Sequence, residues 1–181
     1  MLQPRRNNLL CLLLVLFAST SAHALGPNRD QPIRVVSDRA ELDEQKGVST
    51  YTGNVVITQG LTRLDADKVV IHSSEAGQIS KLIATGKQAH YQEQETSSAP
   101  PTHAYADTII YTQADETIKL IQNARLEQNK NSFQGAEIQY HTVNRKVIAS
   151  AGSQPGSGGR VEMIFHPQSK DSAKDGASSQ P

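Results

Sequence analysis

Ala66-Asp67-Lys68-Val69-Val70-Ile71 is one of four copies of a pattern that runs through the chain. A small residue comes first, then usually an acid, then apolar residues two positions apart. The other copies are Ser37-Asp38-Arg39-Ala40-Glu41-Leu42, Ala106-Asp107-Thr108-Ile109-Ile110-Tyr111 and Gly135-Ala136-Glu137-Ile138-Gln139-Tyr140. Their anchors lie 29, 40 and 29 residues apart, and the long middle step contains a Ser/Pro insertion from Thr96 to Thr102. A fixed period of this size marks a repeat whose units bury their faces only by stacking. The apolar spacing is that of a strand.

Working outward, a second strand lies between successive anchors. Gly53-Asn54 falls 16 residues after Ser37, Gln122-Asn123 falls 16 after Ala106, and Gly86-Lys87 falls 20 after Ala66. Within the pattern the step from Ala66 to Val69 is odd, so a flat strand would place the two on opposite faces. A bulge or corner at Ala66-Asp67 restores a common apolar face. The same odd step separates Ala106 from Ile109 and Gly135 from Ile138. Turn residues at Ser73–Gly77, Glu127–Ser132 and Val143–Lys146 separate the strands. The core is expected to open at Gln31–Val36, with Pro32 at a strand start or sheet edge. It closes with Arg160–Phe165, where Val161, Met163 and Phe165 share a face. No amphipathic helix is legible. The expectation is an all-β domain of twelve to sixteen short strands, growing by stacked hairpin units.

The termini read as processing and tail. Arg5 and Arg6 precede a nine-residue apolar run, Leu9–Phe17, and Ala22-His23-Ala24 has the form of a cleavage site. As a helix that run would rise only about 14 Å, against a hydrocarbon core of about 30 Å. Residues 1–24 are therefore expected to be a signal peptide, and 25–166 the β domain. Residues 167–181 have almost nothing to bury and are expected to be a disordered polar tail. Cleavage would remove Cys11, the only cysteine, and leave 16 basic and 18 acidic residues. That near balance argues against a nucleic-acid backbone as partner.

The candidates for chemistry are few. His72, His90, His103, His141 and His166 show no ligand spacing and have no cysteines to complete a zinc set, so they read as solvent-facing strand residues. Asp38, Asp67 and Asp107 recur once per unit at the expected corners, where a carboxylate accepts turn amide hydrogens. No nucleophile elbow is present, and the Gly-rich loop Gly152–Gly159 precedes no helix that would make it a phosphate cradle. No catalytic set, metal site or cofactor is expected. The chain reads as a binding or structural protein.

Asp30-Gln31-Pro32-Ile33, Tyr51-Thr52-Gly53-Asn54-Val55-Val56-Ile57-Thr58-Gln59-Gly60, Ala66-Asp67-Lys68-Val69-Val70 and Gly86-Lys87 together resemble the OstA-like family, over about residues 30–166. The insertion at 96–102 and the loop at 152–159 depart from its pattern. The resemblance implies an open antiparallel β-jellyroll in the periplasm that bridges the inner and outer membranes and carries lipopolysaccharide. It implies partners LptC at the N-terminal edge and LptD at the C-terminal edge, with the driving force coming from an inner-membrane ATPase complex. The interior position it implies, with the period-2 placement, makes Ile33, Val35, Val55, Ile57, Val69, Ile71, Tyr91, Ile109, Tyr111, Leu126, Ile138 and Tyr140 the expected contacts of the lipid A acyl chains. The docking edges are expected at Ile33, Arg34, Val35, Val36 and at Arg160, Val161, Glu162, Met163, Ile164, Phe165. Unpaired edges that differ in sequence allow head-to-tail self-association. The rival reading is a structural β-solenoid adaptor that binds no lipid.

Overall fold

The computed structural model describes residues 31–152 and 159–166. The expected signal peptide, the polar tail and most of the Gly-rich loop lie outside the described residues. Those described form one antiparallel sheet of ten strands: β1 (Arg34–Val36), β2 (Arg39–Asp43), β3 (Val48–Gln59), β4 (Thr62–Ser73), β5 (Ile79–Glu93), β6 (Thr102–Thr112), β7 (Thr117–Gln128), β8 (Asn131–His141), β9 (Lys146–Ser150) and β10 (Glu162–Ile164). From β3 to β8 each strand pairs with its neighbour in sequence. The all-β, stacked-hairpin reading holds. The strand count does not: the six central strands are 11 to 15 residues long, because each runs unbroken through its corner.

The corners lie where the odd steps placed them. Every pairing among β3 to β8 shifts register in mid-strand, between Thr52/Val55, Asp65/Lys68, Thr85/Ala89, Tyr105/Thr108 and Ile121/Ala124. Extra residues at these shifts bend a strand and strengthen its twist. Aligned across the sheet they make one crease, which divides it into two leaves. The first leaf holds β1, β10 and residues 55–66, 89–106 and 124–135. The second holds β2, β9 and residues 48–52, 68–85, 108–121 and 137–141.

Burial shows that the leaves face each other. Val55 and Leu126 in the first leaf, and Val69, Leu120 and Ile138 in the second, are at most 1 % exposed. A single sheet buries a face that fully only by folding onto itself or another layer. The ends confirm it. Ile118 pairs with Tyr140, and Gln128 lies ten residues beyond Ile118 on the same strand, which is about 33 Å on a straight course. Yet Gln128 Nε2 donates to the Tyr140 hydroxyl at 3.4 Å. The crease therefore closes one side of the fold with continuous backbone. The opposite side is a seam where strand ends and turns of the two leaves meet. Beside the crease the inward residues are small, Ala66, Ala89, Ala106, Ala124 and Gly135, as a close approach of leaves requires.

The three recurring acids tie the crease across strands at alternate corners. Asn54 Nδ2 donates to Asp38 Oδ2 at 2.9 Å, and Asn123 Nδ2 donates to Asp107 Oδ2 at 2.7 Å. The Lys87 amide donates to Asp67 Oδ2 at 3.2 Å. The sequence spacings of 16, 16 and 20 are these contacts. Only Asp67 receives the backbone amide expected of a turn carboxylate. Asn54 and Asn123 have φ of 46° and 52°, and their side-chain amides supply the proton instead.

Candidate functional site

The interior is built from rows of inward side chains that cross all the strands of a leaf. One row in the first leaf runs Val35, Ile57, Leu64, Tyr91, Ala104, Leu126, Phe133, Met163. In the second leaf one runs Ala40, Tyr51, Val69, Ala84, Ile109, Leu120, Ile138, Ala149. Each row joins the N-terminal edge to the C-terminal edge without a charged residue. The period-2 alternation of each half-strand produces it, and the crease keeps both halves pointing inward.

Eleven of the twelve residues proposed as lipid contacts belong to this apolar cluster or pack against it. Val35, Tyr91 and Tyr111 are its partly buried members. Ile33 stands apart, outside the strands and 44 % exposed. Leu64, Ile118 and Leu120 are buried members that the proposed set lacks, although Ile118 and Leu120 alternate with Lys119 as plainly as the rest. Middle rows such as Val69, Ala84, Leu120 and Ile138 are filled by their own packing.

At the seam the interior turns polar. Gln128 Nε2 also donates to Thr102 Oγ1 at 3.3 Å. Burial, and then the charge of Glu93, push the Tyr91 phenol well above its usual range. Burial also raises Tyr140, against the lowering effect of the Gln128 hydrogen bond. Arg145, in the turn between β8 and β9, holds Glu95 Oε1 at 2.9 Å across the seam.

The two ends of the sheet are open. β1 and β2 both pair with β3, and β9 and β10 both pair with β8, so each terminal edge consists of two short strands. The sequence reading found β1 and β10 but not β2 and β9 as the other half of each edge. Among the described residues nine large hydrophobic side chains are exposed. Ile33, Val36 and Leu42 lie at the first edge, and Ile148, Met163, Ile164 and Phe165 at the second. Only Leu61 and Val143 lie elsewhere. An unpaired edge offers backbone donors and acceptors to a further strand, and here it also carries exposed apolar surface.

Three histidines differ from the solvent-facing expectation: His141 Nδ1 lies 3.2 Å from the Oγ1 of buried Thr117, and His90 and His103 join a column of rings. His90 stacks on Tyr105 with ring centroids 4.5 Å apart, and its Nε2 lies 3.1 Å from His103 Nδ1. Arg125 covers the other side of Tyr105 at 4.6 Å. The column lies on the outer face, and burial followed by the neighbouring His103 lowers the His90 pKa. Among the described residues no group of three or more His, Cys, Asp or Glu could hold a metal ion, and no helix is long and apolar enough to cross a membrane.

The comparisons with known proteins agree with this architecture. Residues 34–146 match the family described as LptA/(LptD N-terminal domain) LPS transport protein. The lipopolysaccharide export system protein LptH of Pseudomonas aeruginosa is 36 % identical over 87 % of this chain and 92 % of its own. LptA of Escherichia coli K12 is 33 % identical over 88 % of this chain and 84 % of its own. The crystal structure of Pseudomonas aeruginosa LptH, described as the LptA homologous periplasmic component of the conserved lipopolysaccharide transport device, superposes with a TM-score of 0.70 at 37 % identity. It covers 77 % of this chain and 99 % of that one.

Proposed function

The chain belongs to the LptA/LptD N-terminal domain family of lipopolysaccharide transport proteins, and from that premise we propose that it carries lipopolysaccharide through the periplasm as part of a bridge between the inner and outer membranes. One observation carries the reading: uncharged rows of inward side chains run from edge to edge, and seven of the nine large exposed apolar residues among those described lie at these two edges. Each methylene kept from water is worth about 0.8 kcal/mol, so the acyl chains of lipid A need such a continuous interior to cross an aqueous space. The sugars and phosphates remain outside, because burying them unpaired is costly. LptC docks on β1 and β2, LptD on β9 and β10, and copies of the chain join head to tail by the same edges. Residues 1–24 direct export, and the mature protein begins at Leu25.

The packed middle of the interior favours a second reading, an adaptor that binds no lipid. Under the first reading the leaves part to admit acyl chains. The test is a photo-crosslinker in the protein supplied with lipopolysaccharide. Positions Tyr111 and Ile33 are expected to capture lipid, and Thr112 and Arg34 to capture far less. Equal capture at both pairs refutes the assigned faces, and no capture at any position leaves the adaptor. Intact mass of the periplasmic protein checks the cleavage.

A further inference from the structure

The crease and the seam differ in what they let through. At the crease six strands run unbroken from one leaf to the other, so nothing covalent passes between inside and outside there. At the seam only turns and side chains close the fold. An amphiphile with its acyl chains inside and its sugars outside has a stalk that joins them, and the stalk lies in the seam. As the molecule moves from the N-terminal to the C-terminal edge, the stalk sweeps along the seam, and any contact bridging it has to break.

Two such bridges are Gln128–Tyr140 and Glu95–Arg145. Gln128 of the first leaf holds Tyr140 of the second. Above it Glu95, in the loop that enters the 96–102 insertion, holds Arg145 in the β8–β9 turn. The loop is braced on itself, since Gln94 Nε2 donates to the carbonyls of Ala99 at 2.8 Å and Ser97 at 3.2 Å. Glu95 is thus presented from a formed loop. The ion pair is half exposed on the Arg145 side and more on the Glu95 side, and exposed pairs of this kind are weak. It closes the seam at rest and opens at little cost.

We infer that the Glu95–Arg145 pair is a gate across the seam, which the polar head of a passing glycolipid has to open. The inference rests on the lipid-carrying reading above. It makes the insertion a working part of the transport path.

The test tethers the gate. Glu95→Cys and Arg145→Cys are introduced into the mature protein, from which cleavage removes Cys11, and joined by a short bismaleimide that a reductant cleaves. Inner-membrane vesicles carrying the partner complex, with ATP, supply lipopolysaccharide at the N-terminal edge. A photo-crosslinker at Tyr51 reports cargo before the gate, and one at Val147 reports cargo beyond it. The tethered protein is expected to label at Tyr51 as wild type does and to lose labelling at Val147, which returns when the tether is cleaved. Glu95→Arg, which sets like charges face to face, speeds arrival at Val147 by about two- to fivefold, the scale of one exposed ion pair. The double variant Glu95→Arg with Arg145→Glu restores the wild-type rate. Equal labelling at Val147 with and without the tether overturns the gate while the carrying reading stands. Absence of labelling at Tyr51 in the wild type overturns that reading and the gate with it.

Discussion

Asn123 donates its side-chain amide to the Asp107 carboxylate at 2.7 Å, from sixteen residues further along the chain and across a strand boundary. Asn54 and Asp38 repeat the arrangement two units earlier, at the same separation. In both, the asparagine occupies the left-handed region that asparagine enters more readily than most residues. The crease is thus held by a local backbone choice and by a contact that only the native register creates.

Removing that contact should weaken the crease. Asp107→Ala is expected to cost about 1 kcal/mol, the usual net worth of one hydrogen bond. Asn123→Gly keeps the left-handed backbone but loses the same bond. The two changes together should therefore cost less than their sum. Urea midpoints of the four proteins measure the coupling, and strict additivity would show that the pair contributes nothing.

Gly53 and Gly77 separate two reasons for a glycine. Both have positive φ, 80° and 75°. A Cβ at Gly77 meets open space, whereas one at Gly53 collides with the Asp38 side chain. Gly77→Ala should cost about 1 kcal/mol from backbone conformation alone. Gly53→Ala should cost about twice that or more, with part recovered when Asp38 is also changed to Ala. Equal losses in thermal or urea melts would mean that the corner moves aside freely.

The His90 column predicts a dependence on pH. Burial and His103 favour the neutral ring most, and Arg63 adds to them. Asp65, 3.9 Å from Nδ1, and Glu127 oppose. Tyr105 and Arg125 stack below. With its folded pKa below the unfolded value of about 6.5, the unfolded chain binds the proton more readily. The stability from neutral His90 is complete above about pH 6.5 and is lost as pH falls through the folded pKa. His90→Phe keeps a ring on Tyr105 and should flatten the fall in urea midpoint between about pH 7.5 and about pH 5. An unchanged slope would place the titration elsewhere.

How much of this was legible depends on the range of the interaction. Asp38, Asp67 and Asp107 are spaced by the repeat, so the crease could be read from the odd step after Ala66, Ala106 and Gly135. The rows of inward residues followed from alternation within each half-strand. The strand number did not, because a bulged strand looks in sequence like two strands with a break, as at Gly53-Asn54. Nor did the His90–His103 contact, which depends on the register shift between Thr85 and Ala89. Glu95 and Arg145 lie 50 residues apart and meet only because the sheet folds. Leu42 and Ile148 were missed at the edges because residues 37–42 read only as one copy of the repeat and no strand was read at 146–150. The role of β2 and β9 as outermost strands follows from the order of the whole sheet.

The C-terminal edge gives the last prediction. β10 pairs with β8 through Glu162↔Gln134, Met163↔Phe133 and Ile164↔Ser132, which leaves its other side open. Successive amides of a strand point to opposite sides, so one of Met163 and Ile164 donates towards β8 and the other towards the open side. Proline at the first removes a bond within the sheet, and at the second an amide offered to a partner. β10 is three residues long and carries no part of the buried cluster, so both variants should keep the wild-type circular dichroism. Of the two, one should lose concentration-dependent self-association in light scattering while its β10 pairing persists, read by hydrogen exchange at the β8 edge. The other should loosen β10 itself. If neither folded variant changes self-association, copies do not join through β10, and the edge of β9, with exposed Ile148, becomes the surface to test.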